Sequence, residues 1–283
     1  MTTKLTKEST LPLPNSSHSI PRLGFGVYQS PADVCNKSCT TALSSGYRHI
    51  DTAQFYANET QVGEAVRNSG LKRSDVYITT KILSAGGSVD KSYQKCLDSV
   101  KKLDGEDGYV DLFLIHSPNA GKAAREEMWQ ALLRAHKEGK AKAIGVSNFG
   151  IGHIEGLKGL GNVWPPHVNQ IELHPWCQQR DAVEYCHKNG IVVEAYCPLV
   201  RNQKADNETL VGLAKKYNKS TAQILIRWSL QKEWVTLPKS DTPSRIKENG
   251  DVFNFEISDE DMKALNDLDE GAGGAIVQAV TNS

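Results

Sequence analysis

Short apolar runs alternate with longer amphipathic stretches along almost the whole chain, and this alternation restricts the possible folds more than any other feature. Strands that alternate with helices form parallel sheets. Eight such units suit one (β/α)8 barrel domain over residues 1–283, although a doubly wound open sheet gives a similar pattern. The eight predicted strands are Leu23–Val27, Tyr47–Asp51, Val76–Thr80, Val110–Ile115, Ala143–Val146, His167–Ile171, Ile191–Tyr196 and Trp234–Leu237.

The stretches between these runs have helical periodicity. In Glu126–Lys137, apolar residues fall on one side and charges on the other, and Lys219–Gln231 repeats the pattern. Ser258 begins a capping-box sequence that predicts a helix ending near Gly271. The longer gap before the last strand predicts an extra helix pair, and the polar, proline-punctuated residues 1–20 predict a plug or hairpin.

Composition excludes several partner classes. The 283 residues carry 33 basic and 33 acidic side chains, so no net charge favours nucleic acid or an anionic membrane. The N-terminus lacks the apolar core of a signal peptide, and no run has the length of a membrane span. The six cysteines have no partners at metal-ligand spacing. We therefore expect a cytoplasmic monomer or weak dimer with reduced thiols and no metal.

Four chemically complementary residues follow consecutive predicted strands. Asp51 ends the second strand and Tyr56 follows it, while Lys81 and His116 end the third and fourth. Functional groups of α/β barrels lie at these carboxyl ends, and neighbouring strands are ~5 Å apart. Each residue alone has an ordinary structural explanation, as a packing tyrosine, a solvated lysine, a core histidine or a capping aspartate. Their joint position favours a catalytic site.

The four side chains suit carbonyl reduction. Hydride addition to a carbonyl requires a proton donor for the developing alkoxide. A nearby ammonium favours the ionised phenol, so Lys81 is predicted to lower the pKa of Tyr56 by about two or three units, with Asp51 keeping the lysine charged. A neutral His116 would donate a hydrogen bond to the carbonyl oxygen.

The segment from Gly46 to Ala53, with Tyr56, Asn58-Glu59 and Val62-Gly63, closely resembles the signature of the aldo-keto reductases. The resemblance extends from Leu23 to Phe253, and the closest patterns are those of fungal and bacterial aldehyde and ketone reductases. It implies a catalytic tetrad with Tyr56 as proton donor. It also implies that the chain reduces carbonyl groups and not steroid double bonds. Relatives that reduce steroid double bonds carry glutamate at the position of His116. The implied tetrad is Asp51, Tyr56, Lys81 and His116.

No dinucleotide-binding GxGxxG motif follows a strand, since the glycines of Gly156–Gly161 have the wrong order. The resemblance implies another way of holding NADPH (NADP+). Residues at the ends of strands five to seven, or just after them, would bind the nicotinamide carboxamide, stack on its ring or support that end of the cofactor. They are Ser147, Asn148, Gln170, Tyr196, Pro198 and Leu199.

The segment after the last strand has the chemistry of an anion site. Thr242 and Pro243 predict a helix start, and helix N-termini attract anions. The resemblance assigns the 2′-phosphate of NADPH and the adenine to this segment, which favours NADPH over NADH, while the extra negative charge of Asp241 weakens that preference. The implied residues are Lys239, Ser240 and Arg245 for the phosphate, and Glu248 and Asn249 near the adenine.

Ser117 stands where some relatives have tryptophan, which predicts a wide pocket for bulky or cyclic carbonyls. The Gly-rich tail after Leu268 predicts only a modest C-terminal lid. The predicted lining consists of Tyr28, Phe55, Ser117, Asn119, Phe149 and Trp176.

Other functions stay open at this point. The chain can be an NADPH-binding regulatory or structural subunit with little turnover, or an alcohol or imine oxidoreductase that uses the same site. A metal-dependent hydrolase is disfavoured, because His49, His116 and His174 lack carboxylate partners at metal-ligand spacing.

Overall fold

Eight parallel strands of the computed structural model, which describes residues 4–281, surround a barrel axis in sequential order. A parallel bridge between Leu23 and Thr236 joins the first strand region to the last and closes the barrel. The strands are β3 (Phe25–Gly26), β4 (His49–Asp51), β5 (Tyr77–Ile82), β6 (Val110–Ile115), β7 (Ala141–Ser147), β8 (Val168–Glu172), β9 (Val192–Tyr196) and β10 (Val235–Thr236).

Each of these strands lies within or across one of the eight predicted runs, so the predicted barrel is confirmed. One boundary matters for the site. The third strand extends to Ile82, so Lys81 lies within β5 instead of following it. A lysine is almost never fully buried unless it is paired, and here its ammonium has a buried counter-ion, Asp51.

Helices cover the outside of the barrel. Helix α8 (Thr221–Gln231) begins with a capping box of Ser220 and Gln223. In α10 (Asp259–Asn266), the backbone of Asp261 donates a hydrogen bond to Ser258 Oγ. The predicted extra helix pair is present, whereas α10 ends before the predicted stop at Gly271. The α-helices are α1 (Ala32–Ser44), α2 (Glu59–Arg67), α3 (Val89–Asp104), α4 (Lys122–Lys137), α5 (Ile151–Glu155), α6 (Arg180–Lys188), α7 (Glu208–Tyr217), α8 (Thr221–Gln231), α9 (Pro243–Asn249) and α10 (Asp259–Asn266).

A hairpin of two antiparallel strands, β1 (Thr10–Pro12) and β2 (Ser19–Pro21), precedes the barrel, as predicted. Leu13 and Ile20 of this hairpin pack against apolar side chains inside the barrel, including Leu112. The hairpin therefore plugs one end, and small molecules must enter from the other. No helix within residues 4–281 has the length and apolarity needed to cross a lipid bilayer.

Candidate active site

A cavity of about 570 Å³ opens at the carboxyl ends of the strands, a size typical of small-ligand sites. All eight strands contribute to its wall, either with their last residues or with the segments that follow them, because parallel strands end at the same rim. Fourteen of the predicted site residues line it: Tyr28, Asp51, Phe55, Tyr56, His116, Ser117, Asn119, Ser147, Asn148, Gln170, Tyr196, Pro198, Leu199 and Lys239.

Lys81 lies directly behind the cavity wall and connects two of the predicted catalytic residues. Its Nζ donates to Asp51 Oδ1 at 2.6 Å, to the carbonyl of Thr52 at 3.0 Å and to Tyr56 Oη at 3.4 Å. Lys81 itself is fully buried. The parallel register of β4 and β5 brings Asp51 opposite Thr79, and this register makes the contact possible.

Burial and charge act in opposite directions on these groups. Burial is the largest single influence on the pKa of Lys81 and lowers it, but Asp51 and the other neighbouring groups together outweigh burial, and the pKa of the lysine is raised. Burial raises the pKa of the Tyr56 phenol to about 12, although Lys81 lowers it in part. The expectation that Lys81 alone makes this phenol acidic is therefore wrong, because it omitted the cost of burying a phenolate. Tyr56 keeps its proton at neutral pH.

His116 lies across from the phenol, with its ring 5.7 Å from the Tyr56 ring in an edge-on arrangement. Burial and the neighbouring Lys81 lower the pKa of this histidine to about 3, so the imidazole is neutral at physiological pH. Its buried Nδ1 has no hydrogen-bond partner among the described residues. A neutral imidazole at this position can donate a hydrogen bond to a carbonyl oxygen.

The predicted nicotinamide end is a connected polar network. Tyr196 Oη donates to Asn148 Oδ1 at 2.8 Å, and Asn148 Nδ2 donates to Ser147 Oγ and to the carbonyl of His116. Asn148 has left-handed backbone geometry (φ 63°), which asparagine tolerates better than most residues. An aromatic face and several amide and hydroxyl groups therefore line one side of the cavity, a donor set that fits a carboxamide-bearing ring.

Gln170 joins this network to a second buried carboxyl group. Its Nε2 donates to Asp51 Oδ2 at 2.8 Å and to Glu194 Oε2 at 2.7 Å. No described residue donates to the side-chain Oε1 of Gln170, which leaves an acceptor on a cavity-lining residue. Burial, with the nearby Asp51 charge, raises the pKa of the fully buried Glu194 to about 8. Glu194 is thus a neutral acid at physiological pH.

The predicted phosphate end begins at Lys239. Its Nζ lies 2.5 Å from Asp241 Oδ2, and the other oxygen of Asp241 accepts hydrogen bonds from Ser30 and from Ser38. Arg245 is exposed and forms no ion pair with any described residue. The remaining predicted residues, Ser240, Arg245, Glu248 and Asn249, are outside the cavity wall, in the loop after Lys239 or on α9.

Two predicted pocket residues lie elsewhere. Phe149 is fully buried against His153, and Trp176 is buried beside His174. Both belong to the hydrophobic core between the barrel and its helices, so neither lines the cavity. Their assignment to the lining is corrected, because an aromatic residue after a strand end can point to either side of the backbone.

Several lining residues were not predicted, including Leu83, Arg201, Val277 and Gln278. Leu83 lies two residues beyond Lys81 on the same strand exit, a spacing that offered a signal. Arg201 lies in a loop where three consecutive residues have positive φ, and its guanidinium is 5.8 Å from the Tyr28 ring centroid. No local sequence pattern indicates that these loops cross the cavity mouth.

The tail residues reach the cavity because Glu172, at the end of β8, holds them. Its carboxylate accepts hydrogen bonds from three consecutive backbone amides, those of Ile276 (2.5 Å), Val277 (2.7 Å) and Gln278 (2.8 Å). His174 Nε2 lies 2.9 Å from the same carboxylate. The short tail is therefore a fixed part of the cavity wall, which is more than the modest lid expected.

The model of the Aldo/keto reductase family matches residues 22–270, which include every strand of the barrel. The chain belongs to the aldo-keto reductase family. An oxidoreductase of unassigned activity from Schizosaccharomyces pombe is 48% identical over 260 residues, covering 90% of this chain and 92% of the relative. A glyoxal reductase from Bacillus subtilis is 40% identical over 252 residues, covering 89% and 90%.

Solved structures agree with this membership. The Bombyx mori aldo-keto reductase, solved in complex with NADP, is 32% identical and superimposes with a TM-score of 0.86, covering 96% of each chain. This aldo-keto reductase therefore shares both the barrel and the sequence features of the family, and it is an oxidoreductase.

Proposed function

We propose that this aldo-keto reductase uses NADPH to reduce an aldehyde or ketone to the alcohol, with Tyr56 as the proton donor. The supporting observation is the line of contacts from Asp51 through Lys81 to Tyr56, at 2.6 Å and 3.4 Å, on the wall of a cavity that neutral His116 also lines. As further parts of the proposal, the chain is one domain, works in the cytoplasm and needs no nucleic acid or membrane partner.

The proton chemistry follows from the pKa shifts. With its pKa raised by burial, Tyr56 stays protonated until an alkoxide develops beside it. An alkoxide is a stronger base than a phenolate, so the proton then moves from the phenol to the new alcohol oxygen. Lys81, held charged by Asp51, stabilises the resulting phenolate. NADPH, when bound, supplies the hydride for the carbonyl carbon.

His116 acts on the other side of the reacting oxygen. Because its pKa is about 3, it donates a hydrogen bond without competing with Tyr56 as an acid. The polar atoms of Ser147, Asn148 and Gln170 would hold the carboxamide, and the Tyr196 ring would stack on the nicotinamide. The relative that was solved in complex with NADP superimposes on 96% of this chain, and this similarity supports NADPH as the cofactor.

The rim of the cavity favours apolar substrates. Tyr28, Phe55, Leu83 and Val277 are exposed apolar side chains at the mouth, and the Tyr28 and Phe55 rings stack at 6.3 Å. Exposed apolar groups at a pocket entrance mark a binding surface. We propose bulky or cyclic carbonyl compounds as the substrate class.

The test is oxidation of NADPH, followed by the loss of its absorbance, with a panel of aldehydes and ketones. We expect Tyr56→Phe to abolish turnover while NADPH still quenches the protein's fluorescence. Tyr109→Phe, which removes a hydroxyl without a hydrogen-bond partner among residues 4–281, is the matched control. Turnover that survives Tyr56→Phe contradicts the proton-donor role, and NADPH binding without turnover of any carbonyl indicates a regulatory subunit.

A further inference from the structure

Among the residues predicted to bind the phosphate, Lys239 is a cation that lines the cavity. Its positive charge is already paired with a carboxylate of the same protein. The Asp241 carboxylate is 2.5 Å from its Nζ and lies two residues further along the same loop. The lysine therefore does not present an uncompensated positive charge to an anion.

Asp241 is held firmly in this place. Its second oxygen accepts hydrogen bonds from the hydroxyls of Ser30 and Ser38, and both serines are almost completely buried. Although burial opposes ionisation, these hydrogen bonds and the lysine lower the pKa of the Asp241 carboxyl. The Asp241 carboxylate is thus held between the loop after β10 and α1. Its side chain cannot rotate away without breaking three contacts.

We infer that Asp241 is a selectivity-determining residue that reduces the preference of this reductase for NADPH over NADH. Its carboxylate partly cancels Lys239 and repels any dianionic phosphate bound beside that lysine, whereas a ribose hydroxyl at the same place is unaffected. Arg245, which has no ion pair within residues 4–281, still favours the phosphate. The preference is consequently lowered and not reversed. This inference rests on the proposed use of NADPH.

The test uses adenosine 2′-monophosphate and adenosine 5′-monophosphate as probes in titration calorimetry, so that the readout is binding and not turnover. We expect Asp241→Asn to bind the 2′-phosphate probe about tenfold more tightly, the effect of removing one negative charge near a dianion in a half-exposed loop. Affinity for the 5′-phosphate probe should stay constant, and the gain should shrink at high salt. Asp98→Asn, an exposed aspartate on α3, is the matched control. Asp241→Ser replaces the first variant if that one fails to fold.

The outcomes are separable. Unchanged or weaker binding of the 2′-phosphate probe by the folded Asp241 variant, with the unsubstituted protein still binding it, overturns the inference and leaves the proposed function intact. An equal gain for both probes also overturns it, because a general loosening of the loop would explain that result. Failure of the unsubstituted protein and the variants to bind either probe overturns the inference and the proposed cofactor together.

Discussion

The ammonium of Lys81 and the carboxylate of Asp51 form an ion pair of 2.6 Å inside the barrel, and both side chains are buried. A buried pair of this kind does not necessarily stabilise a protein relative to apolar residues, but leaving one charge alone is costly. The same pair therefore affects both the charge state of Lys81 in the proposed chemistry and the free energy of unfolding.

Asp51→Asn should destabilise the protein by about 3–5 kcal/mol, because it leaves the Lys81 charge buried without a counter-ion. Urea unfolding followed by circular dichroism measures this change in the free energy of unfolding. The double variant Asp51→Asn with Lys81→Met should recover most of the loss, since no buried charge remains. A double variant as unstable as the single one would show that packing, and not charge, is responsible.

Glu194→Gln should become progressively less destabilising as the pH rises from 5 to 9. The folded-state pKa of Glu194 is raised to about 8, above that of an exposed glutamate, so its stabilising contribution is complete at low pH and is lost as the pH rises through 8. Glutamine has no proton to lose. The difference in unfolding free energy between the two proteins, measured at several pH values, tests this. A difference that is independent of pH would place the pKa of Glu194 in the ordinary range.

Much of this site can be predicted from the sequence because several of its functional side chains lie at the ends of strands. Asp51 ends a predicted strand, and His116 directly follows another whose last four residues are apolar, so pattern and position agree. The acidity of Tyr56 was misjudged, because burial is a tertiary property that no local pattern reports. Val277 could not be predicted for a related reason: the path of the tail over the cavity mouth depends on a distant partner, Glu172.

Glu172→Gln should free the C-terminal tail. A glutamine offers one acceptor oxygen in place of two, so the three backbone amides of residues 276–278 cannot all keep their partner. We expect faster amide hydrogen exchange in residues 276–280 and a higher KM for carbonyl substrates, because part of the cavity wall is lost. Glu184→Gln, an exposed glutamate on α6, is the control. Unchanged exchange in the tail would contradict the anchoring role.

Ser117→Trp should narrow the cavity, because an indole replaces a small hydroxyl side chain on its wall. The ratio of kcat/KM for bulky ketones to that for small aldehydes should fall by about tenfold or more, as a steric clash of 1–3 kcal/mol with the larger substrates implies. The measurement is steady-state NADPH oxidation with paired substrates. If the ratio stays constant, residue 117 does not contact the part of the substrate that varies.

The four exposed apolar residues at the cavity mouth, Tyr28, Phe55, Leu83 and Val277, have a practical meaning for enzyme engineering. They contribute little to the packed interior, so randomising them in a combinatorial library should yield mostly folded variants. Such a library would leave untouched the groups assigned to the proposed proton transfer, which lie in β4 and β5 or in the segments that follow β4 and β6: Asp51, Lys81, Tyr56 and His116. New substrate ranges are therefore best sought by diversifying these four codons, while the interior layer around Lys81 is kept constant.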